Sequence, residues 1–104
     1  LELLADGMRN PYEPTVDSSG NVFVSDNDDD GNEQTRVNFV VDGGHYGYYP
    51  RPRGDRRLDE VHWSSDQPGV VPTMIKTGFG SPCGMIAYEG DLMPSLRGTL
   101  IHAE

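Results

Sequence analysis

Glycine and proline interrupt this sequence too often for long helices to form. Thirteen Gly and eight Pro are spread over 104 residues, and no segment keeps the helical spacing of apolar residues for more than about three turns. Short runs that alternate apolar and polar residues recur between these turn signals, as is typical of β-strands. The sequence therefore predicts an all-β chain built of antiparallel sheets.

Five runs predict individual strands, and the turn "SSG" between the first two predicts a hairpin. In the second run, Val22 and Val24 are expected on one face of the sheet and Phe23 on the other. The runs are "EPTVD" (13–17), "NVFVSD" (21–26), "TRVNFVV" (35–41), "CGMIAYEG" (83–90) and "RGTLIHAE" (97–104). Strands that are spaced and joined in this way fit a sandwich, a barrel or a propeller alike.

The segment 51–80 is rich in proline and glycine and predicts a long irregular connection. It contains two candidate short strands, "VHWS" (61–64) and "TMIKT" (73–77). A connection of this length is unusual in a compact domain unless it serves a site.

The charge balance excludes some classes of function. Eight Lys and Arg against 17 Asp and Glu give a net charge of −9, and an acidic chain repels phosphate backbones, so nucleic-acid binding is disfavoured. The basic run "RPRGDRR" (51–57) is short and is read as a solvated loop. No apolar run approaches the roughly 20 residues of a membrane span. Because the chain starts without Met and stops in an apolar run, we expect a piece of a longer protein.

The most acidic stretch follows the second predicted strand. Asp26, Asp28 and Asp30 alternate along the chain and precede Gly31. This order matches the first half of a calcium-binding loop, in which alternate oxygens converge on one hard cation. The sequence predicts a calcium site formed by Asp26, Asp28, Asp30 and Glu33.

The helix–loop–helix form of such a site is excluded. Its twelfth position, which should be a bidentate Glu, is Val37, and the flanking residues predict strands. A calcium site between two strands is left, in which Asn27 or Asn32 could complete the oxygen shell. The alternative is a solvated acidic turn without an ion.

Three stretches, in order, resemble one protein family. They are "GMRNPYEPTVDSSGNVFVSDND" (7–28), "VNFVVDGGHYGYYP" (37–50) and "GSPCGMIAYEGDLMPSLRGTLIHAE" (80–104). Together they resemble the glucose/sorbosone dehydrogenase group of β-propellers. The likeness is greatest to large bacterial membrane-bound dehydrogenase-like proteins, in which such a propeller is joined to helical repeats and to haem-binding cytochrome c segments.

The resemblance implies a fold. The family fold is a six-bladed propeller of four-stranded antiparallel sheets, of which this chain would form about two blades. Residues 1–50 would be one blade region, 51–80 a connection, and 81–104 the start of the next blade. The implied partners are the remaining blades of the parent chain and a sugar or other small polar substrate. Open sheet edges would favour self-association, and the implied location is periplasmic or extracellular.

The resemblance also implies a cofactor. In the sugar dehydrogenases of this family, pyrroloquinoline quinone takes a hydride from a sugar, with the help of a His general base and a calcium ion. Arg9 and Asn10 match the Arg-Asn pair that touches the quinone. No His of this chain matches the general base, which lies in an earlier blade of the family. The chain is therefore expected to be part of an oxidoreductase and to be inactive by itself.

The sequence departs from the family pattern in places. Tyr12 and Glu13 replace the Gln-Gly that follows Arg-Asn-Pro, His45 replaces an Asn, and Tyr48 stands where Trp is usual. These departures motivate a second hypothesis, in which the chain belongs to a calcium-stabilised binding or scaffold module that keeps the propeller fold without the chemistry.

Other residues carry weaker indications. Tyr46, Tyr48 and Tyr49 either line a sugar pocket or pack a blade edge. The histidines are too widely spaced for a zinc site and are expected to be hydrogen-bonded surface or turn residues; they are His45, His62 and His102.

Two further positions were assigned structural roles. Trp63 is expected to anchor a core. Cys83, the single cysteine, is expected to be a small buried residue, because no base lies near it in the sequence.

Overall fold

The structure is a computed structural model that describes residues 1–29, 33–50 and 62–104. The prediction of an all-β chain with antiparallel sheets is confirmed. The described residues form eight strands and one 3₁₀ helix, Pro94–Leu96. The strands are β1 (Ala5–Asp6), β2 (Pro11–Val16), β3 (Val22–Asp26), β4 (Thr35–Val40), β5 (Gly44–His45), β6 (Ile75–Gly78), β7 (Gly84–Tyr88) and β8 (Thr99–Ala103).

The main sheet has four antiparallel strands in the order β2-β3-β4-β6. The predicted hairpin is formed by β2 and β3, and its turn is held by the carboxylate of Asp17. Oδ1 of Asp17 accepts hydrogen bonds from the backbone N–H of Ser19 at 2.9 Å and of Asn21 at 2.8 Å. Gly20 completes the turn with φ of 86°, a conformation that costs glycine little.

The fourth strand of the main sheet comes from the segment predicted as a connection. In β6, Ile75 pairs with Val37 of β4 and Lys76 pairs with Arg36. The candidate strand 73–77 is thus confirmed, apart from small shifts of its ends. Of the other candidate, 61–64, Val61 lies outside the described residues and Trp63 forms an isolated bridge with Tyr48. Residues 51–60 also lie outside them, and the division of the chain into blades stays a prediction.

A second antiparallel sheet is the hairpin of β7 and β8, as predicted from the sequence. It packs on the main sheet through polar and apolar contacts. The backbone N–H of Ala87 donates to Oγ1 of Thr15 at 3.2 Å. Oγ of Ser18, in the β2–β3 turn, donates to Oε1 of Glu89 at 2.6 Å. These contacts fix the hairpin against the face of the main sheet that carries Thr15 and Phe23.

The two central strands of the main sheet, β3 and β4, are covered on both faces over much of their length, whereas β2 and β6 are mostly exposed. Val24 and Val37, which occupy opposite faces, are each 4% exposed. On the Val24 face the cover includes Trp63, which is buried as predicted, and on the other face it includes Met85 of β7. The apolar core is therefore thin and divided into two parts by the sheet.

The two-residue strands β1 and β5 form a parallel pair, Ala5 with Gly44 and Asp6 with His45. The sequence did not predict this pair, since two residues are too short to show alternation. Tyr46, which follows β5, is buried, and its hydroxyl donates to the carbonyl oxygen of Phe39 and accepts from the N–H of Val41. Of the two interpretations of the aromatic run, a sugar pocket or packing, Tyr46 therefore fits packing at the end of the sheet.

The prediction that Cys83 is buried is wrong. Cys83 is exposed and is a free cysteine. It lies just before β7, at the open end of the hairpin, where its backbone N–H donates to the carbonyl oxygen of Ala103 at 3.1 Å. Its side chain is exposed because it lies beyond the paired residues of the hairpin, at the end away from the turn.

Candidate functional site

Charged and polar side chains gather at one end of the main sheet. Because neighbouring strands run antiparallel, the start of β2, the end of β3 and the start of β4 lie at the same end of the sheet. This geometry brings together the residues before β2, the acidic residues after β3, and the first residues of β4. The polar cluster defined here consists of Arg9, Asn10, Asp26, Asp29, Glu33, Arg36 and His62.

Asp26 binds the segment that leads into β2. Its Oδ2 accepts a hydrogen bond from the backbone N–H of Arg9 at 2.9 Å, and its Oδ1 accepts one from Asn10 at 2.7 Å. Burial raises the pKa of this carboxyl, and the two backbone hydrogen bonds oppose that rise without cancelling it. Two residues predicted for a cofactor and one predicted for a metal are therefore in direct contact.

Asp29 holds His62 by two hydrogen bonds. Its Oδ2 accepts from the backbone N–H of His62 at 2.8 Å, and its Oδ1 lies 2.7 Å from Nδ1 of the imidazole. A carboxylate can only accept, so Nδ1 carries the ring proton of the neutral imidazole and Nε2 keeps its lone pair. Asp29 is fully buried, and Nε of Arg9 lies 3.8 Å from its Oδ1. One buried carboxylate thus positions both a histidine and an arginine.

Arg36 is the buried cation of the cluster. It is 1% exposed, and its guanidinium carbon lies 3.8 Å from the centre of the Trp63 ring, a cation–π contact. Burial lowers the pKa of the guanidinium, while the charges of Glu33, Asp26 and Asp29 oppose this shift. The guanidinium stays charged in proteins, so Arg36 offsets part of the negative charge around it.

Glu33 is paired with Lys76 of β6. Nζ of Lys76 lies 2.8 Å from each carboxylate oxygen, and Nη2 of Arg36 lies 3.6 Å from Oε2. Burial raises the pKa of Glu33, but the hydrogen bonds from Lys76 and Gln34 and the charges of Lys76 and Arg36 outweigh it, so that the net shift is downward. Cations of the protein itself therefore help to hold the crowded carboxylates together.

The residues predicted to bind calcium do not converge within the described chain. The oxygens of Asp26 face backbone N–H groups, and those of Glu33 face Lys76. Asp28 is half-buried, and Asp30 lies outside the described residues. In the part of the chain that the structure describes, no three Asp, Glu, His or Cys side chains are grouped to hold a metal ion. These described donors do not fit a calcium ion by themselves, and the calcium site stays a prediction.

The residues predicted to touch a quinone are together at the rim of the cluster. The Arg9 side chain is 19% exposed and Asn10 is exposed. Nε of Arg9 lies 3.8 Å from Oδ1 of Asp29, and the backbone N–H of Arg9 donates a hydrogen bond to Asp26. Arg9 places a guanidinium at this rim, the group that binds carboxylates best, and the contact of Arg9 and Asn10 with a quinone stays a prediction.

The sequence did not identify Asp29, His62 and Arg36 as functional residues. Asp29 was visible only as one more acid in the loop, and His62 only as a neighbour of Trp63. Arg36 carried a signal, since its position in the alternation of β4 places a charged residue on the same face as Val24. A charged residue on a buried face is informative because such residues are almost never buried unless paired.

A second histidine–carboxylate pair lies apart from the cluster, between β5 and β1. Nδ1 of His45 lies 2.6 Å from Oδ1 of Asp6, and the His45 ring packs against that of Tyr49 at 5.0 Å. Nε2 of His45 is enclosed and has no hydrogen-bond partner. Like His62, His45 is paired with an aspartate through Nδ1, but its Nε2 is enclosed by the protein.

Within the described ranges, no helix combines the length and apolarity needed to cross a membrane. Comparisons of the chain with protein-family models, with curated proteins and with solved structures gave no match.

Proposed function

We propose that this chain is part of a propeller-type oxidoreductase similar to glucose/sorbosone dehydrogenases, and that it contributes to the binding of a sugar or an alcohol. The order of the strands supports the fold part of the proposal. A four-stranded antiparallel meander followed by a hairpin that packs on its face is the arrangement expected of one blade and the start of another. The proposed partners are the other blades of a parent chain, in a periplasmic or extracellular setting.

The polar cluster carries the functional part of the proposal. The deciding observation is that Arg9 and Asn10, which match the family's cofactor-contacting pair, lie next to the buried Asp29–His62 pair at one sheet end. The cluster offers hydrogen-bond donors and an acceptor close to aromatic rings, a combination suited to hydroxyl groups. The net charge of −9 disfavours phosphates and other anions.

The experiment uses the parent chain, assayed by dye reduction with glucose, sorbitol and simple alcohols in the presence of pyrroloquinoline quinone and calcium. We expect oxidation of at least one of these substrates, reduced strongly by Arg9→Ala. Arg97→Ala is the matched control, because Arg97 is an exposed arginine paired with Asp91 far from the cluster along the chain. Absence of oxidation of every sugar and alcohol would reject the enzymatic part of the proposal.

A second function, a non-catalytic binding or scaffold module stabilised by calcium, is favoured by the start of β2. Tyr12 and Glu13 replace the family's Gln-Gly there, and Glu13 adopts φ of 40° beside an irregular register in the β2–β3 pairing. A local backbone of this kind is specific to the sequence that occupies it. Calorimetric titration with calcium distinguishes the two functions: binding that is lost in Asp28→Asn, without any redox activity of the parent, would favour the module.

A further inference from the structure

The imidazole of His62 has one nitrogen in use and one open. Nδ1 is held by Asp29. Among the described residues, none hydrogen-bonds to Nε2 of His62. Unlike Nε2 of His45, this atom is not enclosed by the described residues. The side chain is 14% exposed, whereas that of Asp29 is 0% exposed. Nε2 therefore lies at the accessible edge of a ring whose other edge is fixed.

Asp29 determines what Nε2 can do. Because the carboxylate fixes the ring proton on Nδ1, Nε2 of the neutral ring presents a lone pair in a fixed direction. Asp29 also accepts a hydrogen bond from the backbone N–H of His62, so one carboxylate holds both the main chain and the ring of this residue. An acceptor positioned in this way is preorganised and loses little freedom when a donor binds.

The surroundings restrict the class of donor. A divalent metal would need further ligands, and the described chain provides no group of three. The net charge of −9 disfavours an anion. The ring of Tyr48 lies 5.7 Å from the His62 ring, and an aromatic surface beside a hydrogen-bond acceptor suits the C–H and O–H groups of a polyol.

We infer that Nε2 of His62 accepts a hydrogen bond from a hydroxyl group of a bound neutral polyol, with Asp29 as the positioning residue. The inference rests on the proposed function, since it names an atom of this chain that would contact the proposed substrate class. It assigns a role to a histidine that does not match the family motif.

The test follows polyol binding to the parent chain, with its histidines labelled, by nuclear magnetic resonance at pH 8, with D-glucose and sorbitol as neutral probes and citrate as an anionic probe. We expect both polyols, and not citrate, to shift the His62 ring signals. The nitrogen shifts of the ring report the tautomer directly and should show the proton on Nδ1. His62→Ala should weaken polyol binding by about tenfold, as expected for one lost hydrogen bond. His62→Gln, whose amide oxygen can replace Nε2, should recover part of the affinity.

His45→Ala is the matched control. His45 is also paired with an aspartate through Nδ1, but its Nε2 is enclosed, so its removal should leave polyol affinity unchanged. Undiminished polyol affinity in His62→Ala, or an equal loss of affinity in His45→Ala, would overturn the inference and leave the proposed substrate class intact. Absence of polyol binding to the unmodified parent chain would instead reject the proposed substrate class, and the inference with it.

Discussion

Arg36 occupies a position that water barely reaches, and it lies close to three carboxylates. Replacing it by Ala would leave the fully buried Asp26 and Asp29 without much of their compensating charge and would expose the Trp63 ring. Removal of one partner of a buried ion pair costs about 3–5 kcal/mol. We expect Arg36→Ala to lower the free energy of unfolding by about that amount, measured by urea denaturation.

The control for this substitution is Arg97→Ala. The ion pair between Arg97 and Asp91 is short, at 2.6 Å, but both side chains are exposed. Exposed pairs of this kind contribute about 0–1 kcal/mol. Equal losses of stability in the two variants would show that burial does not set the contribution of Arg36.

The pairing of Lys76 with Glu33 makes a prediction about pH. The pKa of Glu33 lies below its ordinary value, so the folded state binds its proton less readily than the unfolded state. The pair therefore stabilises the protein above the unfolded pKa, and this contribution is lost as the pH falls through the folded pKa. Because Lys76 is partly exposed, we expect Lys76→Met to cost less than about 1 kcal/mol at pH 7.

The measurement compares the free energy of unfolding of Lys76→Met and of the unmodified chain at pH 7 and at pH 3. The difference should shrink at the lower pH, because protonation of Glu33 removes the charge that Lys76 pairs with. A difference of the same size at both pH values would assign the effect to packing of the Lys76 stem.

At this scale the sequence identified the acidic loop but not the residues that neutralise it. Asp26, Asp28 and Glu33 stand out as a local run. Their partners are distant along the chain: His62 is 33 residues from Asp29, and Lys76 is 43 residues from Glu33. Such pairs depend on the register of β4 and β6 and on the return of the chain over the sheet, which no local pattern encodes. The sequence therefore predicted that calcium neutralises the acidic loop, whereas Lys76 and Arg36 of the protein itself neutralise part of its charge.

At the scale of elements, short runs of strand-forming residues between turn residues predicted β2, β3, β4, β7 and β8. The four residues of β6 are all exposed or half-buried, so their pattern is weak. Its assignment depends on pairing with β4, and β1 and β5 are shorter still. The sequence therefore left the bounds of β6 uncertain and gave no sign of β1 and β5, because these strands form only through pairing with distant parts of the chain.

The tight turn around β5 gives a prediction at this scale. Gly43 and Gly47 both have positive φ, 72° and 82°. A Cβ on Gly43 would meet no atom within 4 Å, whereas one on Gly47 would lie 2.9 Å from Cγ1 of Val70. Gly43→Ala pays only for the left-handed backbone, about 1–2 kcal/mol. Gly47→Ala adds steric crowding, about 1–3 kcal/mol more.

The two glycine variants are each other's control, compared by thermal unfolding followed by circular dichroism. Gly47→Ala should melt at the lower temperature. If Gly43→Ala were equally or more destabilised, the approach of Val70 to Gly47 would not be what this turn requires.

At the scale of the whole molecule, much apolar surface lies outside the core. Only five large apolar or aromatic side chains of the described residues are buried, whereas 16 are exposed. Ile86 and Ile101 lie directly opposite each other on β7 and β8 and are 53% and 38% exposed. They form an apolar pair on the face of the hairpin that points away from the main sheet. Unpaired edges and apolar sheet faces of this kind favour association.

We expect the isolated chain to self-associate in a concentration-dependent way, through this hairpin. The net charge of −9 opposes association, and salt screens that repulsion, so the effect should grow between low ionic strength and about 0.15 M salt. Replacement of both Ile86 and Ile101 by Glu would place negative charges on the hairpin face of an already acidic chain and should shift the chain toward monomer in light scattering. Leu92→Glu is the control, because Leu92 is 96% exposed but lies outside the strands. A monodisperse monomer of the unmodified chain at high concentration and 0.15 M salt would contradict the prediction, and equal effects of the hairpin and Leu92 substitutions would show that charge rather than the sheet face controls association.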